Sequence, residues 1–270
     1  VLGYRIEIFT VQDRRTLFAE KEEPDLTAPI VPPPIRLTTI DLEIRAEPLP
    51  LSPGQAAAVA THWNTRTAEN PRLFNGSAFL FDRFEVDANA GSLVAEGAPT
   101  DYATFLYWRH HRDEMPFMHT FPVGAIVTTD RKLIVGRMSQ HTANAGKHYP
   151  PAGSFDASDV VTDRDGVERL DPFANISREV GEEIGLEIAR LTPEPDWLLM
   201  PSTPNAHAII KVLRTAESSS DLAPDLLRHI AEDPHQELED LLFVDFTHRF
   251  EEGTASPYVN HLLAYLAANG

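Results

Sequence analysis

The chain contains no cysteine. Disulfides, thiolate catalysis and cysteine-ligated zinc are therefore excluded. Positive charge is also scarce: 23 Lys and Arg stand against 41 Asp and Glu, a formal charge of −18. Such a surface repels phosphate backbones and anionic lipid, so neither nucleic acid nor membrane is expected as a partner. An anionic small molecule would need a local cation, a first pointer to a metal. No run of about 18 apolar residues occurs, so no membrane helix is expected. The start lacks the basic-then-apolar pattern of a secretory leader, and a cytoplasmic location is the expectation. Three catalytic patterns are missing as well: a Gly-x-x-x-x-Gly-Lys-Ser/Thr loop, a Gly-x-Ser-x-Gly elbow and His-Glu-x-x-His. His110 and His111 are adjacent and face different ways on a helix, so zinc is not expected.

What is present suffices for a buried core: 270 residues, 42% of them apolar, in one large domain or two small ones. Tyr4–Val11 alternates like a strand, and an acidic, Pro-rich stretch ends at Pro32-Pro33-Pro34. Residues 1–35 read as an arm or linker. Residues 35–46 alternate again. Ser52-Pro53 opens a helix to about Glu69, two strands follow within 73–95, and Thr100 precedes a helix over 101–112. A hairpin is predicted at 123–129 and 132–137. A Gly-, Pro- and His-rich loop ends in Tyr149-Pro150-Pro151-Ala152-Gly153. Asp171-Pro172 opens a helix that stops at Gly185. Strands are predicted at 186–191, 197–200, 207–213 and 241–246, with a last helix from Ser256-Pro257. This order fits an α+β fold: a smaller N-terminal α/β accessory module over 36–115, and a main domain over 121–270 with helices on both sides of a sheet.

The 171–186 helix carries the chemistry. Phe173, Ile176, Val180 and Ile184 form its buried stripe. At about 100° per residue, Glu183 lies beside that stripe, Glu179 next round and Glu182 further on. Three carboxylates on one flank repel each other, and burying one raises the cost. A hard divalent cation, Mg²⁺ or Mn²⁺, removes both problems. Arg178, four residues before Glu182, could orient it. A solvated acidic face is the bland alternative. Against it stand Gly181, which costs about 1 kcal/mol in a helix interior relative to Ala, and Gly153, placed to approach a ligand with bare backbone.

Arg178-Glu179-Val180-Gly181-Glu182-Glu183-Ile184-Gly185-Leu186 resembles the second half of the Nudix box, Arg-Glu-apolar-x-Glu-Glu-x-Gly-apolar, with every defining position filled. Pro151-Ala152-Gly153 is similar to the Pro-Gly-Gly that opens it. The resemblance implies an αβα Nudix sandwich from about Phe121, Mg²⁺ or Mn²⁺ held by Glu179, Glu182 and Glu183, and hydrolysis of a nucleoside diphosphate linked to another group. The stretch from Gly153 to Leu186 is longer than the family's, mostly through an Asp-rich insertion. The position of the family's first Glu, which steadies the helix and Arg178, holds Leu170. Glu168 is near enough to stand in for it. A catalytically weak Nudix-fold nucleotide sensor is the rival reading. Trp63-Asn-Thr65-Arg66, Pro71–Asn75, Phe79 and Thr100–Leu106 resemble, in order, the region preceding the Nudix domain of the animal Nudix pyrophosphatases that act on UDP-sugars. That implies a nucleotide-sugar substrate.

Outside the box, Glu237 precedes an apolar strand at a spacing the family uses for a further metal ligand or water-positioning acid; it reads equally as a solvated loop residue. Glu239 is the lesser choice. His207 begins an apolar strand within reach of the site, although a core histidine is the commoner reading. Tyr149 could stack on a base. Gly153, Tyr149 and His207 are thus the candidate substrate contacts, and Arg178, Glu182, Glu183 and Glu237 the candidate catalytic set. A homodimer is compatible with this reading.

Overall fold

The computed structural model describes residues 33–269. The strand expected at 4–11 lies outside them, as does nearly all of the 1–35 arm. Two sheets and five helices make a mixed α+β fold, as the sequence predicts. The strands are β1 (Ile35–Leu37), β2 (Thr39–Ile44), β3 (Ser77–Asp87), β4 (Ser92–Asp101), β5 (His119–Val127), β6 (Lys132–Met138), β7 (His148–Tyr149), β8 (Val160–Thr162), β9 (Glu168–Leu170), β10 (Leu191–Thr203), β11 (Ala206–Thr215) and β12 (Leu238–Asp245). The helices are α1 (Pro53–Glu69), α2 (Tyr102–His110), α3 (Pro172–Ile184), α4 (Ser219–Glu232) and α5 (Val259–Asn269).

The larger sheet runs β1-β10-β11-β5-β6-β12, with β7 added to β6. Its β11–β5 pair is parallel and the others are antiparallel. The smaller sheet runs β3-β4-β2-β9-β8. The single strand expected at 35–46 is divided between the two sheets. At the break, the Thr38 and Thr39 N–H groups both donate to Gly91 O, at 2.7 and 3.2 Å, so β1 pairs β10 while β2 pairs β4. The inserted segment supplies β8 and β9, and β9 pairs β2.

Helix α3 forms for the reasons its sequence gives. The Asp171 carboxylate accepts from the Phe173 and Ala174 N–H groups, Pro172 sits in the first turn, and Gly185 closes the helix at φ 70°, the left-handed region where a side chain would be strained. Ile176, Val180 and Ile184 are buried in the main core, each contributing roughly 1.5–3 kcal/mol. The same stripe draws Glu179 and Glu183 inward, and both are buried.

Three local expectations need correcting. Residues 186–191 are not a strand; a 3-10 turn occupies Ile188–Arg190, and the strand begins at Leu191. Pro193 and Pro195 do not separate two elements. They sit where the β10–β11 register shifts between Pro193 and Trp197, the kind of place where a strand tolerates proline. Helix α4 has no counterpart among the elements expected from sequence. Pro224 interrupts its interior, but a Ser218–Asp221 capping box starts it, and buried Leu222, Leu226 and Ile230 at four-residue spacing hold it on the core.

Candidate metal and diphosphate site

Arg178 is the hub of the acidic helix. Its Nη1 is 2.8 Å from Glu179 Oε1 and donates to Glu182 Oε2 at 3.2 Å; its Nη2 donates to Asp159 Oδ2 at 3.2 Å. Asp156 is the fourth carboxylate, at 3.6 Å. Burial works against the Arg178 charge, but Glu179, Asp159 and Asp156 outweigh it and hold the guanidinium protonated more firmly than usual.

One cation does not neutralise this group. Burial is the main force on Glu179; Arg178 opposes it, Glu182 and Glu237 add to it, and the carboxyl is pushed up to about 7. Burial, then the charges of Glu179 and Glu237, raises Glu183 well above the ordinary carboxylate range, against a backbone hydrogen bond from Ala152. Glu237 is exposed as a residue, but local desolvation of its carboxyl, then the charge of Asp233, raises it. Glu182 is exposed. Glu179, Glu183 and Glu237 thus share one field and feel it as a raised affinity for protons.

Gly153 fixes the Glu179 carboxylate on the neighbouring loop. A Cβ added at Gly153 would lie 1.9 Å from Glu179 Oε1, so only glycine allows this approach. The loop is anchored by the Gly124 N–H donating to Pro151 O at 2.9 Å. Tyr149 is buried nearby; burial, then Glu183, pushes its hydroxyl up, and that oxygen accepts from Asn144 Nδ2 at 3.3 Å.

The expected ligand trio therefore shares one flank and one loop, but it is not assembled as a closed cage. Among the described residues, no group of three or more His, Asp or Glu side chains is arranged to hold a metal ion. Glu179 and Glu182 turn to Arg178 instead. The donor set still suits a hard cation: the ligands are all carboxylate oxygens, two of them are buried at a cost that a dication would offset, and the Gly153 cradle leaves room where a side chain would intrude.

The remaining candidates are dispersed. His207 lies half-buried at the start of β11, its ring stacked on Phe84 at 5.3 Å, with Nδ1 unpartnered. Glu239 pairs with Arg137 at 3.0 Å. Glu168, expected near Arg178, is exposed on β9, and Leu170 is buried between the sheets. Asp159 holds Arg178 instead. It is 2% exposed and also accepts from Asn175 Nδ2 at 2.8 Å. Sequence reasoning missed both Asp159 and Asn175. The available signal was the capping spacing of Asp156 and Asp159, which closes a 3-10 turn at Ala157–Asp159.

A cavity of about 350 Å³ adjoins the 152–154 loop. Phe105, Trp108 and Tyr258 help to wall it, and Arg109, Arg112 and Lys147 supply its positive charge. None of these cations was singled out from sequence, because α2, the 139–147 loop and the 253–258 segment meet only in the folded chain.

No family model matches the chain, and no curated protein matches it. Several solved structures resemble part of it. The MutT protein of Methanosarcina mazei Go1 is 14% identical over 56% of this chain and 94% of its own, with a TM-score of 0.37. An ADP-ribose pyrophosphatase from Streptococcus suis 89-1591 is 14% identical over 56% and 92%, with a TM-score of 0.34. An Ap4A hydrolase of C. elegans is 13% identical over 56% and 99%, with a TM-score of 0.36.

Proposed function

We propose that this chain is a Nudix-type hydrolase that uses Mg²⁺ or Mn²⁺ to cleave the diphosphate of a nucleoside diphosphate linked to another group. The observation that carries the reading is the burial of Glu179 and Glu183 on one flank of α3, against the bare backbone of Gly153, with a single arginine to offset their charge. Stability alone gives no reason to bury two carboxylates together when only one of them has an arginine beside it. A divalent cation bound by Glu179, Glu182 and Glu183 would supply charge neutralisation for the diphosphate and Lewis acidity for its cleavage. Arg178 positions Glu179 and Glu182. Glu237, with its raised proton affinity, is suited to accept a proton from an attacking water. Residues 121–270 would form the catalytic part, with 36–115 as an accessory module packed on it and 1–35 as an arm. A UDP-sugar as substrate rests on the N-terminal sequence resemblance.

Replacement of the family's first Glu by buried Leu170 favours the rival reading, a nucleotide sensor without turnover; the Asp159–Arg178 pair counters it by supplying the same support from the insertion. The deciding experiment incubates the full chain with UDP-glucose, ADP-ribose and dinucleoside polyphosphates, with Mg²⁺, Mn²⁺ or chelator, and reads phosphate release after phosphatase treatment. Metal-dependent release supports the hydrolase. Nucleotide binding with no release under any condition would replace it with the sensor.

A further inference from the structure

We propose that the cavity between α2 and the 152–154 loop seats a phosphate monoester borne by the substrate in addition to the scissile diphosphate, together with the ring that carries it; a UDP-sugar has no such phosphate, so this substrate class departs from the one the N-terminal resemblance suggests. The proposal rests on the hydrolase reading for which bond is cleaved, but not for the binding itself.

The first observation is charge. In this acidic chain Arg45, Arg137, Arg169, Arg190 and Arg214 all pair with carboxylates. The three cations of the cavity do not, among the described residues. Arg109 Nη2 donates to Asn144 Oδ1 at 2.9 Å, Arg112 Nη1 to Pro204 O at 2.9 Å, and Lys147 Nζ to Gly253 O at 2.8 Å. Each head group is held by a neutral acceptor that orients it without cancelling its charge. Three uncompensated cations around one cavity suit a dianion.

A second observation is unmet hydrogen bonding. Tyr258 is fully buried and lines the cavity, and its hydroxyl has no partner; Arg112 Nε is likewise buried and unpartnered. Buried polar atoms left in this state call for a ligand or water to satisfy them. Apolar walls complete the site. Arg112 lies over the Trp108 ring at 4.9 Å, and the His119 ring stacks on Phe121 at 5.5 Å. Burial, then Arg109 and Arg112, hold His119 neutral with a pKa lowered to about 3, so it adds a ring face and not a charge.

The third observation is placement. Ala152 and Gly153 line this cavity, while the Ala152 backbone bonds Glu183 and Gly153 abuts Glu179. The acidic cluster and the basic cavity therefore meet at one loop, and the cavity-lining Tyr149 and Tyr258 both feel the Glu183 charge. If a metal neutralises the reacting diphosphate at the glutamates, the arginines and lysine are free to meet a different anion of the same molecule.

The test uses titration calorimetry on the full chain in chelator, with adenosine 3′-monophosphate, uridine 3′-monophosphate, adenosine, uridine and inorganic phosphate as probes; the 5′-monophosphates are avoided because cleavage of the diphosphate itself releases them. The monophosphates should bind at least about tenfold tighter than their nucleosides, and R109Q and K147Q should each weaken them about tenfold. Melting temperature monitors the fold, and K147Q serves if R109Q fails to fold. Tighter binding of free phosphate than of either nucleotide would remove the ring from the proposal. Equal binding of nucleosides and monophosphates, or binding unchanged in folded R109Q and K147Q, would overturn it. Should a diphosphate be hydrolysed while R109Q alters neither binding nor KM, this inference falls and the hydrolase stands. Arginine-dependent binding with no hydrolysis of any diphosphate would instead uphold the phosphate seat and remove the hydrolase.

Discussion

Asp159 and Arg178 form an ion pair at 3.2 Å that ties the inserted segment to the acidic helix. The aspartate is almost wholly buried and shares its Oδ2 with Asn175. Asp159→Ala would remove the nearer acceptor of the Asn175 amide and the nearer carboxylate on Arg178 Nη2, leaving them only Ser154 O at 3.5 Å and Asp156 at 3.6 Å, at a cost of about 1–3 kcal/mol in urea unfolding. Asp159→Asn keeps the packing, so its stability loss should be smaller while metal affinity still falls. Metal affinity unchanged in Asp159→Asn would show that the pair only braces the fold.

Gly153→Ala tests the cradle. The new methyl would occupy the space of the Glu179 carboxylate, which must swing away. The expected result is loss of at least about tenfold in Mn²⁺ affinity, read by calorimetry, with a smaller change in melting temperature. Unchanged affinity would remove Glu179 from the ligand set.

If the hydrolase reading holds, Glu182→Gln and Glu183→Gln should each lower turnover by about 10²-fold or more, because each deletes a charge that a bound cation and the transition state would need. Their effects on stability without metal should differ. Glu182 is exposed and its pairing with Arg178 adds little, so its variant should stay within about 0.5 kcal/mol. Glu183 is buried beside other carboxylates, and removing its charge should raise the melting temperature. Wild-type turnover in both variants would make the cluster a solvated face.

How far the sequence reaches depends on the range of the interactions. Helix α3 is legible because its cap, its apolar stripe and its stop all lie within sixteen residues. Burial of Glu179 and Glu183 follows from that stripe. The role of Asp159 is not legible, because it arises from a loop whose path is set by β8 and β9 joining a distant sheet through β2. The basic cavity is hidden for the same reason: Arg109 and Lys147 are held by Asn144 and Gly253, on segments that only tertiary packing brings together. Helix α4 is masked by Pro224, although its buried leucines keep helical spacing.

Acid should destabilise the fold through two histidines that desolvation keeps neutral, buried His119 and half-buried His207. Burial, and for His119 the nearby Arg109 and Arg112, lowers the pKa of His119 to about 3 and that of His207 to about 4. In the unfolded chain both return to about 6.5. Below pH 6.5 the unfolded state therefore binds protons that the folded state refuses, and stability is lost as pH falls. The loss continues to about pH 3 for His119 and about pH 4 for His207. The slope is about 1.4 kcal/mol per pH unit for each residue. The buried glutamates, whose proton affinity is raised on folding, act in the opposite direction between the neutral range and their unfolded pKa. The histidine contribution is therefore read as a difference. Unfolding free energies of wild type and His119→Gln, measured in urea from pH 7.5 to 4.5, should diverge below pH 6.5, with wild type losing about 2 kcal/mol more than the variant by pH 5. A constant offset from Gln packing is expected and does not matter, because the slope carries the information. Parallel curves would mean that His119 takes up a proton in the folded state, and with it that the cavity admits water and charge freely.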